Sequence, residues 1–191
     1  MNDTAGRLGA AALAILVAEG AQAVTMRRVA AEAGVTAMAT YRHFAGREAL
    51  LRSVVDRAVA EATGGWGELG RGLPFARRVD ELTDAFLDFA LGRPHLYQYL
   101  VTEHRPDALR FPDDFRTGGS PAFAPVFAAV EQAMAEGVLR DDDPLEVTLA
   151  ITTPVVGLVQ FYLGGRVNMS ENDFRALCKR TTGRVLNGLI T

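Results

Sequence analysis

Residues 24–51 read VTMRRVAAEAGVTAMATYRHFAGREALL, and the spacing inside this stretch predicts two short helices joined by a tight turn. Thr25 is placed to cap a first helix running to about Ala33, with Val29, Ala30 and Ala33 recurring on one face at helical spacing. Gly34 ends it, because glycine tolerates the left-handed backbone that a sharp break requires. Val35 then returns towards the core and Thr36 caps a second helix reaching about Phe44. On that second helix Thr40 and Phe44 lie four residues apart and share the inward stripe, which leaves Ala37, Met38 and Tyr41 outside.

The outward face is small, smooth and nearly uncharged. A helix with that profile enters a DNA major groove closely, its N-terminal residues Thr36, Ala37 and Met38 near base edges while Tyr41, Arg42 and His43 reach for phosphates. Arg47, at the start of the next helix, adds a charge beside free helix N–H groups, a combination suited to a phosphate. Thr25, Arg27 and Arg28, in the first turn of the preceding helix, complete the candidate DNA contacts. Arg7 is a further candidate for a neighbouring phosphate.

The run GVTAMATYRHFAGREAL, with tyrosine, a spacer, histidine and phenylalanine at its centre, resembles the recognition-helix signature of TetR-family transcriptional regulators. The likeness is close over roughly residues 7–57 and one of layout beyond. It implies a three-helix DNA-binding domain joined through a connecting helix to a helical effector-binding and dimerisation domain. Two positions depart from the family pattern. Ala39 stands where the family usually has a phosphate-contacting Ser or Thr, so that contact is not carried over. Thr40 stands where a core Leu or Ile is usual, which costs apolar burial unless its hydroxyl bonds back to a helix carbonyl.

Charge is distributed to match. The chain carries net −3, yet residues 1–57 carry +2 and the remainder −5. A basic end on an acidic body orients a molecule on DNA and repels the rest. With 191 residues, 49% apolar and 23% charged, the composition is that of an ordinary folded protein. No charged-then-apolar leader follows Met1, and the longest apolar run, residues 153–163, is interrupted by Pro154, Gly157 and Gln160 and is too short to span a bilayer. A cytoplasmic location with no membrane partner is expected. The one cysteine, Cys178, lies on a helical pattern and reads as a buried structural thiol.

Taken in order, the chain is predicted to be all-α, with about nine helices. Asp3 or Thr4 caps a helix carrying Leu8, Ala11, Ala12, Ile15 and Leu16, which Gly20 stops. From Glu48 to about Ala62 a connecting helix carries the stripe Leu50, Leu51, Val54, Val55, Ala58 and Val59, one side for the reader and one for the body, so that a change in the body alters the reader's angle. A glycine-rich loop, residues 63–72, holds the one tryptophan. Helices follow from Pro74 to Gly92, from Pro94 through HLYQYLV, from Phe123 to Glu136, from Pro144 to about Leu163, and from a Ser170 cap to the end. Residues 105–121 read as a long loop with at most one helical turn. The domain boundary is placed after residue 47: 1–47 for DNA binding, 48–191 for effector binding and dimerisation.

The last two helices are too apolar to be one protomer's outer layer. Val155, Leu158, Val159, Tyr162, Leu177, Thr181, Val185 and Leu186 are the candidate homodimer interface, and the resemblance implies that these helices pair with their copies as a four-helix bundle. Aromatics in the body suggest a pocket for an apolar or amphipathic small-molecule effector, with Phe86, Phe89, Tyr99, Phe123, Phe127 and Phe161 as walls and His95, His104 and Gln160 as polar anchors. Aromatics at helical spacing serve packing equally well.

His95 and His104 lack a third ligand at a helical offset, so no metal is expected, and no cofactor either. Nucleophile elbow, phosphate-cradling loop and dinucleotide fingerprint are all missing from the text, so no enzymatic role is expected. The reading reached is a repressor released from a palindromic double-stranded DNA operator by a small effector. The alternative is a small-molecule carrier or enzyme whose helix-turn-helix has lost DNA binding, favoured by Ala39 alone.

Overall fold

The computed structural model describes residues 4–103, 105 and 108–189. Among them are ten α-helices and no β-strand: α1 (Thr4–Glu19), α2 (Met26–Glu32), α3 (Ala37–Tyr41), α4 (Arg47–Thr63), α5 (Phe75–Gly92), α6 (Pro94–Val101), α7 (Asp113–Arg116), α8 (Ala124–Ala135), α9 (Pro144–Leu163) and α10 (Glu171–Leu189). Short 3₁₀ turns occupy Ala21–Ala23 and Trp66–Glu68. The helix beyond the expected nine is α7, the single turn inside the long loop.

Two compact units result, Met1–Ala62 with Arg93–Arg105, and Thr63–Gly92 with Pro106–Thr191. This division differs from a boundary after residue 47, and the reason is burial. Leu50, Leu51, Val54, Val55 and Ala58 of α4 are all buried, and without them α1 to α3 would have too little apolar surface to form a core. Each of these leucine and valine side chains contributes about 1.5–3 kcal/mol relative to leaving it in water. Gly9 lets the two long helices meet: a Cβ there would lie 3.2 Å from Arg57 Nη2 and 3.8 Å from Val54 Cγ2. Residues 93–105 also belong here rather than to the body, since α6 packs on α1 and buries Leu96, Tyr97 and Tyr99.

The second unit has its own core, in which Trp66, Val79, Leu82, Val126, Val130, Ala133, Leu139, Val147, Ile151 and Leu186 are buried together. Helix α9 packs against α5, α8 and α10. At its start the Asp143 carboxylate accepts from Leu145 N at 2.8 Å, with Pro144 at the first helical position. Arg116 pairs with the same carboxylate at 2.8 Å and holds its pKa below the ordinary value. Ser170 and Asp173 form the expected capping pair of α10, with Asp173 N donating to Ser170 Oγ at 3.2 Å, and Arg175 ties α10 to α5 through Asp88 at 2.7 Å.

Two expectations are corrected in this unit. The run 153–163 is too short for a bilayer, but α9 as a whole has the length and composition of a spanning helix. Its Leu145, Val147, Thr148, Ile151, Val155 and Val159 are buried in the protein, within a stretch of which 33% is buried. Val155, Val159 and Leu186 lie inside one chain's core at 4%, 0% and 3% exposure and are closed to a second copy. Leu158, Tyr162, Leu177, Thr181 and Val185 are only part-buried, and Tyr162 stacks on Phe174 with ring centroids 4.2 Å apart. Cys178 is fully buried; burial pushes its thiol up to about 11, so it stays protonated and inert at neutral pH.

Candidate nucleic-acid interface

Both caps read from the sequence are formed. Thr25 Oγ1 accepts from Arg28 N and Thr36 Oγ1 from Ala39 N, each at 3.2 Å. Gly34 adopts φ +64°, and Val35 N donates back to Ala30 O at 2.9 Å, the i to i−5 bond that closes a helix on a left-handed residue. Helix α3 is shorter than expected. Beyond Tyr41 the chain continues as a looser turn, in which His43 N and Phe44 N both donate to Thr40 O at 3.1 and 3.0 Å.

Thr40 is fully buried, and its hydroxyl donates to Thr36 O at 3.5 Å. The bond is at the long limit of useful geometry and relieves only part of the cost of a hydroxyl in the core. On the opposite face Ala37, Met38, Tyr41, Arg42 and His43 are exposed, Met38 at 71% and Tyr41 at 55%. Arg27 is exposed at the start of α2. Neither Arg27 nor Arg42 is recorded in a hydrogen bond or ion pair with the described residues, so both guanidinium groups face solvent together with the bare face of α3.

Three other arginines are engaged inside the unit. Arg28 Nη1 donates to Glu19 Oε2 at 2.9 Å and Nη2 to Oε1, a fork that fastens α2 to the end of α1. The hydrogen bond from Arg28 holds the Glu19 carboxyl below its ordinary range. Arg47 Nε donates to Val24 O at 2.8 Å and Nη2 to Ala21 O at 2.6 Å. Its guanidinium is turned inward to pin the 3₁₀ turn before α2, and the expected phosphate contact is not what its geometry serves. Arg7 Nη2 donates to Ala33 O, satisfying a carbonyl at the end of α2. Sequence position alone cannot separate these roles, because a carbonyl to bond is a product of how α1, α2 and α4 close on one another.

The expected effector residues are divided between the two units. His95 and Tyr99 belong to the first unit, where His95 Nδ1 lies 3.1 Å from Val17 O; His104 falls outside the described residues. In the second unit Phe86, Phe89 and Gln160 are part-buried and Phe161 is 53% exposed. Phe123 and Phe127 join a chain of rings, Phe111, Phe115, Phe123 and Phe127, with successive centroids 5.9, 5.1 and 6.3 Å apart. A cavity of about 230 Å³ lies elsewhere in this unit, lined by Gly72, Leu73, Phe75, Arg78, Ala129, Gln132, Ala133 and Glu136. The sequence did carry a sign of it: Arg78 sits beside Val79 and one turn from Phe75 and Leu82, on the inward stripe of α5.

Comparison with known proteins agrees with the arrangement of α1 to α4. The family model described as "Bacterial regulatory proteins, tetR family" matches residues 8–54, and that described as "Tetracyclin repressor-like, C-terminal domain" matches residues 79–185. No curated protein matches the chain. Among solved structures, a Rhodococcus sp. RHA1 protein of unknown function is 21% identical with a TM-score of 0.80, over 100% of this chain and 97% of that one. A TetR family transcription regulator from Marinobacter aquaeolei VT8 is 16% identical with a TM-score of 0.68, over 98% and 95% of the two chains. The transcriptional regulator FadR from Bacillus subtilis, solved in complex with stearoyl-CoA, is 14% identical with a TM-score of 0.75, over 96% and 98%. With its helix-turn-helix and its helical second unit both matched, the chain belongs to the TetR family of bacterial transcriptional regulators.

Proposed function

We propose that this DNA-binding regulator is a homodimeric repressor that leaves a palindromic operator when a small molecule binds its second unit. The observation that carries the reading is the surface of α3: Ala37, Met38 and Tyr41 stand exposed, flanked by Arg27, Arg42 and His43 that the unit leaves to solvent. Small side chains admit the helix to the major groove, and the flanking arginines supply the phosphate attraction that dominates affinity. Met38 and Ala37 offer apolar contact and shape rather than a hydrogen-bond code.

Support for a dimer comes from α9. Leu149, Thr153, Gly157 and Phe161, four residues apart, form an exposed stripe, and a Cβ at Gly157 would meet nothing within 4 Å. A second copy of α9 can approach closely there, and a two-fold axis would set two copies of α3 roughly 34 Å apart, one DNA turn. Replacing Phe161 by Glu is expected to convert the dimer to folded monomer in sedimentation velocity, with helical content retained and a melting temperature no longer dependent on protein concentration; an undisturbed dimer would put the interface elsewhere. For the effector, FadR of B. subtilis binds stearoyl-CoA on a similar fold, and we carry over only that such a unit accommodates a ligand. A hundredfold loss of operator affinity requires about 2.7 kcal/mol of ligand preference for the released state.

The test is selection of duplexes from a random pool by the purified protein, repeated at increasing salt. An enriched palindrome is expected, and failure to enrich any duplex at low salt would favour the carrier or enzyme reading. On the selected duplex, Arg42→Ala should weaken binding to all sequences alike and reduce the salt slope by about one, with no change in melting temperature. Weakening confined to a single base position would reassign Arg42 to base recognition.

A further inference from the structure

We propose that the cavity between the start of α5 and α8 binds a short-chain organic carboxylate, with the Arg78 guanidinium as the anchor for its charged head. Arg78 is 8% exposed, and its stem is clamped. A Cβ on Gly70, which has φ +62°, would lie 2.9 Å from Arg78 Cα and 3.1 Å from its Cγ, so the chain passes directly over the side chain. Held in this way, the guanidinium has little freedom to swing out to water.

Its charge is poorly served by the protein. Nη1 donates to Gln132 Oε1 at 3.2 Å and Nη2 to Gly67 O at 3.5 Å, both neutral acceptors and both longer than the roughly 2.7–2.9 Å of charge-assisted bonds. Nε is buried with no hydrogen-bond partner among the described residues. Among the described residues no carboxylate is recorded paired with Arg78. Glu136, the one acid lining the cavity, instead accepts from Gln132 Nε2 at 2.8 Å, so Gln132 stands between the two charges. Buried cations are ordinarily paired, and this one faces a cavity of about 230 Å³.

The remaining lining defines the ligand. Leu73, Phe75, Ala129 and Ala133 supply apolar wall, and α5 has no acidic residue in its first turn, so its N-terminal N–H groups add to the positive field at the mouth. A bidentate carboxylate fits the planar guanidinium fork, and an aliphatic tail of a few carbons fits the wall. The volume lies just below the roughly 300–1,000 Å³ of drug-sized pockets, which favours a small acid. Only the regulatory meaning of this site rests on the repressor reading; the binding itself does not.

Trp66 provides the readout. It is the one tryptophan of the chain, it is buried in the core beside Val79, and the next residue, Gly67, supplies a carbonyl to Arg78. Hexanoate, hexanamide and inorganic phosphate, at matched ionic strength, are titrated against the full chain while Trp66 emission and melting temperature are followed. Hexanoate is expected to bind saturably and raise the melting temperature, with hexanamide at least about tenfold weaker and phosphate without effect. Arg78→Gln should abolish the hexanoate response. Gln132→Glu places a carboxylate on the guanidinium from within and should abolish the response; it also sets that carboxylate against Glu136, which accepts from Gln132 Nε2 in the wild-type chain, so no rise in melting temperature is expected.

Equal binding of acid and amide, retention of hexanoate binding in Gln132→Glu, or no response in the wild-type chain would each overturn the assignment; a phosphate response equal to that of hexanoate would overturn the organic class. Duplex selection on the same preparations separates the two proposals. Operator binding without a hexanoate response sinks this site alone, and a hexanoate response without operator binding sinks the repressor reading alone.

Discussion

Replacing Leu186 by Asp is expected to unfold the second unit rather than to split a dimer. Leu186 is 3% exposed, in a cluster with Trp66, Val79, Leu82, Val147 and Ile151. Removing a buried leucine side chain costs about 2–5 kcal/mol in lost transfer energy and cavity. The new carboxylate would also have to be desolvated or protonated among apolar neighbours, with a pKa raised by as much as about 3–5 units on full burial. Together these approach the whole 5–15 kcal/mol that holds a typical domain folded. The check is Trp66 fluorescence with thermal or urea unfolding: emission should shift to that of solvent-exposed indole and the cooperative transition of this unit should vanish. A well-folded monomer with wild-type stability would mean that Leu186 faces a partner and not the core.

Arg47→Ala should destabilise the first unit by about 1–3 kcal/mol, because its half-buried guanidinium donates to two backbone carbonyls: Val24 O would be left unmet, and Ala21 O would keep only its bond from Val24 N at 3.0 Å. Those carbonyls belong to the 3₁₀ turn and the residue just before the Thr25 cap, so the position of α2 depends on them. Operator affinity should fall as a consequence of lost order, together with the midpoint of urea unfolding. Arg47→Lys should rescue little, since a single ammonium cannot reproduce the planar fork that meets both oxygens. A phosphate-contacting Arg47 would behave differently: unchanged unfolding with a shallower salt slope. That outcome would restore the role its sequence position suggests.

The sequence by itself determined the local structure of the reader. Thr25, Gly34 and Thr36 place two caps and a left-handed turn through side chains acting on backbone within a few residues, and such interactions are legible because they do not wait on tertiary contacts. Helix type and order in the second unit follow likewise from 3.6-residue periodicity, and from Asp143 with Pro144 and Ser170 with Asp173 as start signals. Exposure of Ala37, Met38 and Tyr41 follows from the same periodicity once Thr40 is inside.

What only the tertiary structure decided was the use of charge and the ownership of apolar faces. Arg27, Arg28, Arg42 and Arg47 look alike in sequence, yet Arg28 and Arg47 are consumed by Glu19, Val24 and Ala21 while Arg27 and Arg42 face solvent. Helix α6 packed on α1, which groups His95 and Tyr99 with the first unit, and α5 turned Arg78 into a cavity that no motif announces. On α9 and α10 periodicity marks which residues are apolar but not which of two stripes faces the chain's own core. Each of these depends on distances between residues tens of positions apart, and those are set when helices close on one another, after local propensity has had its say.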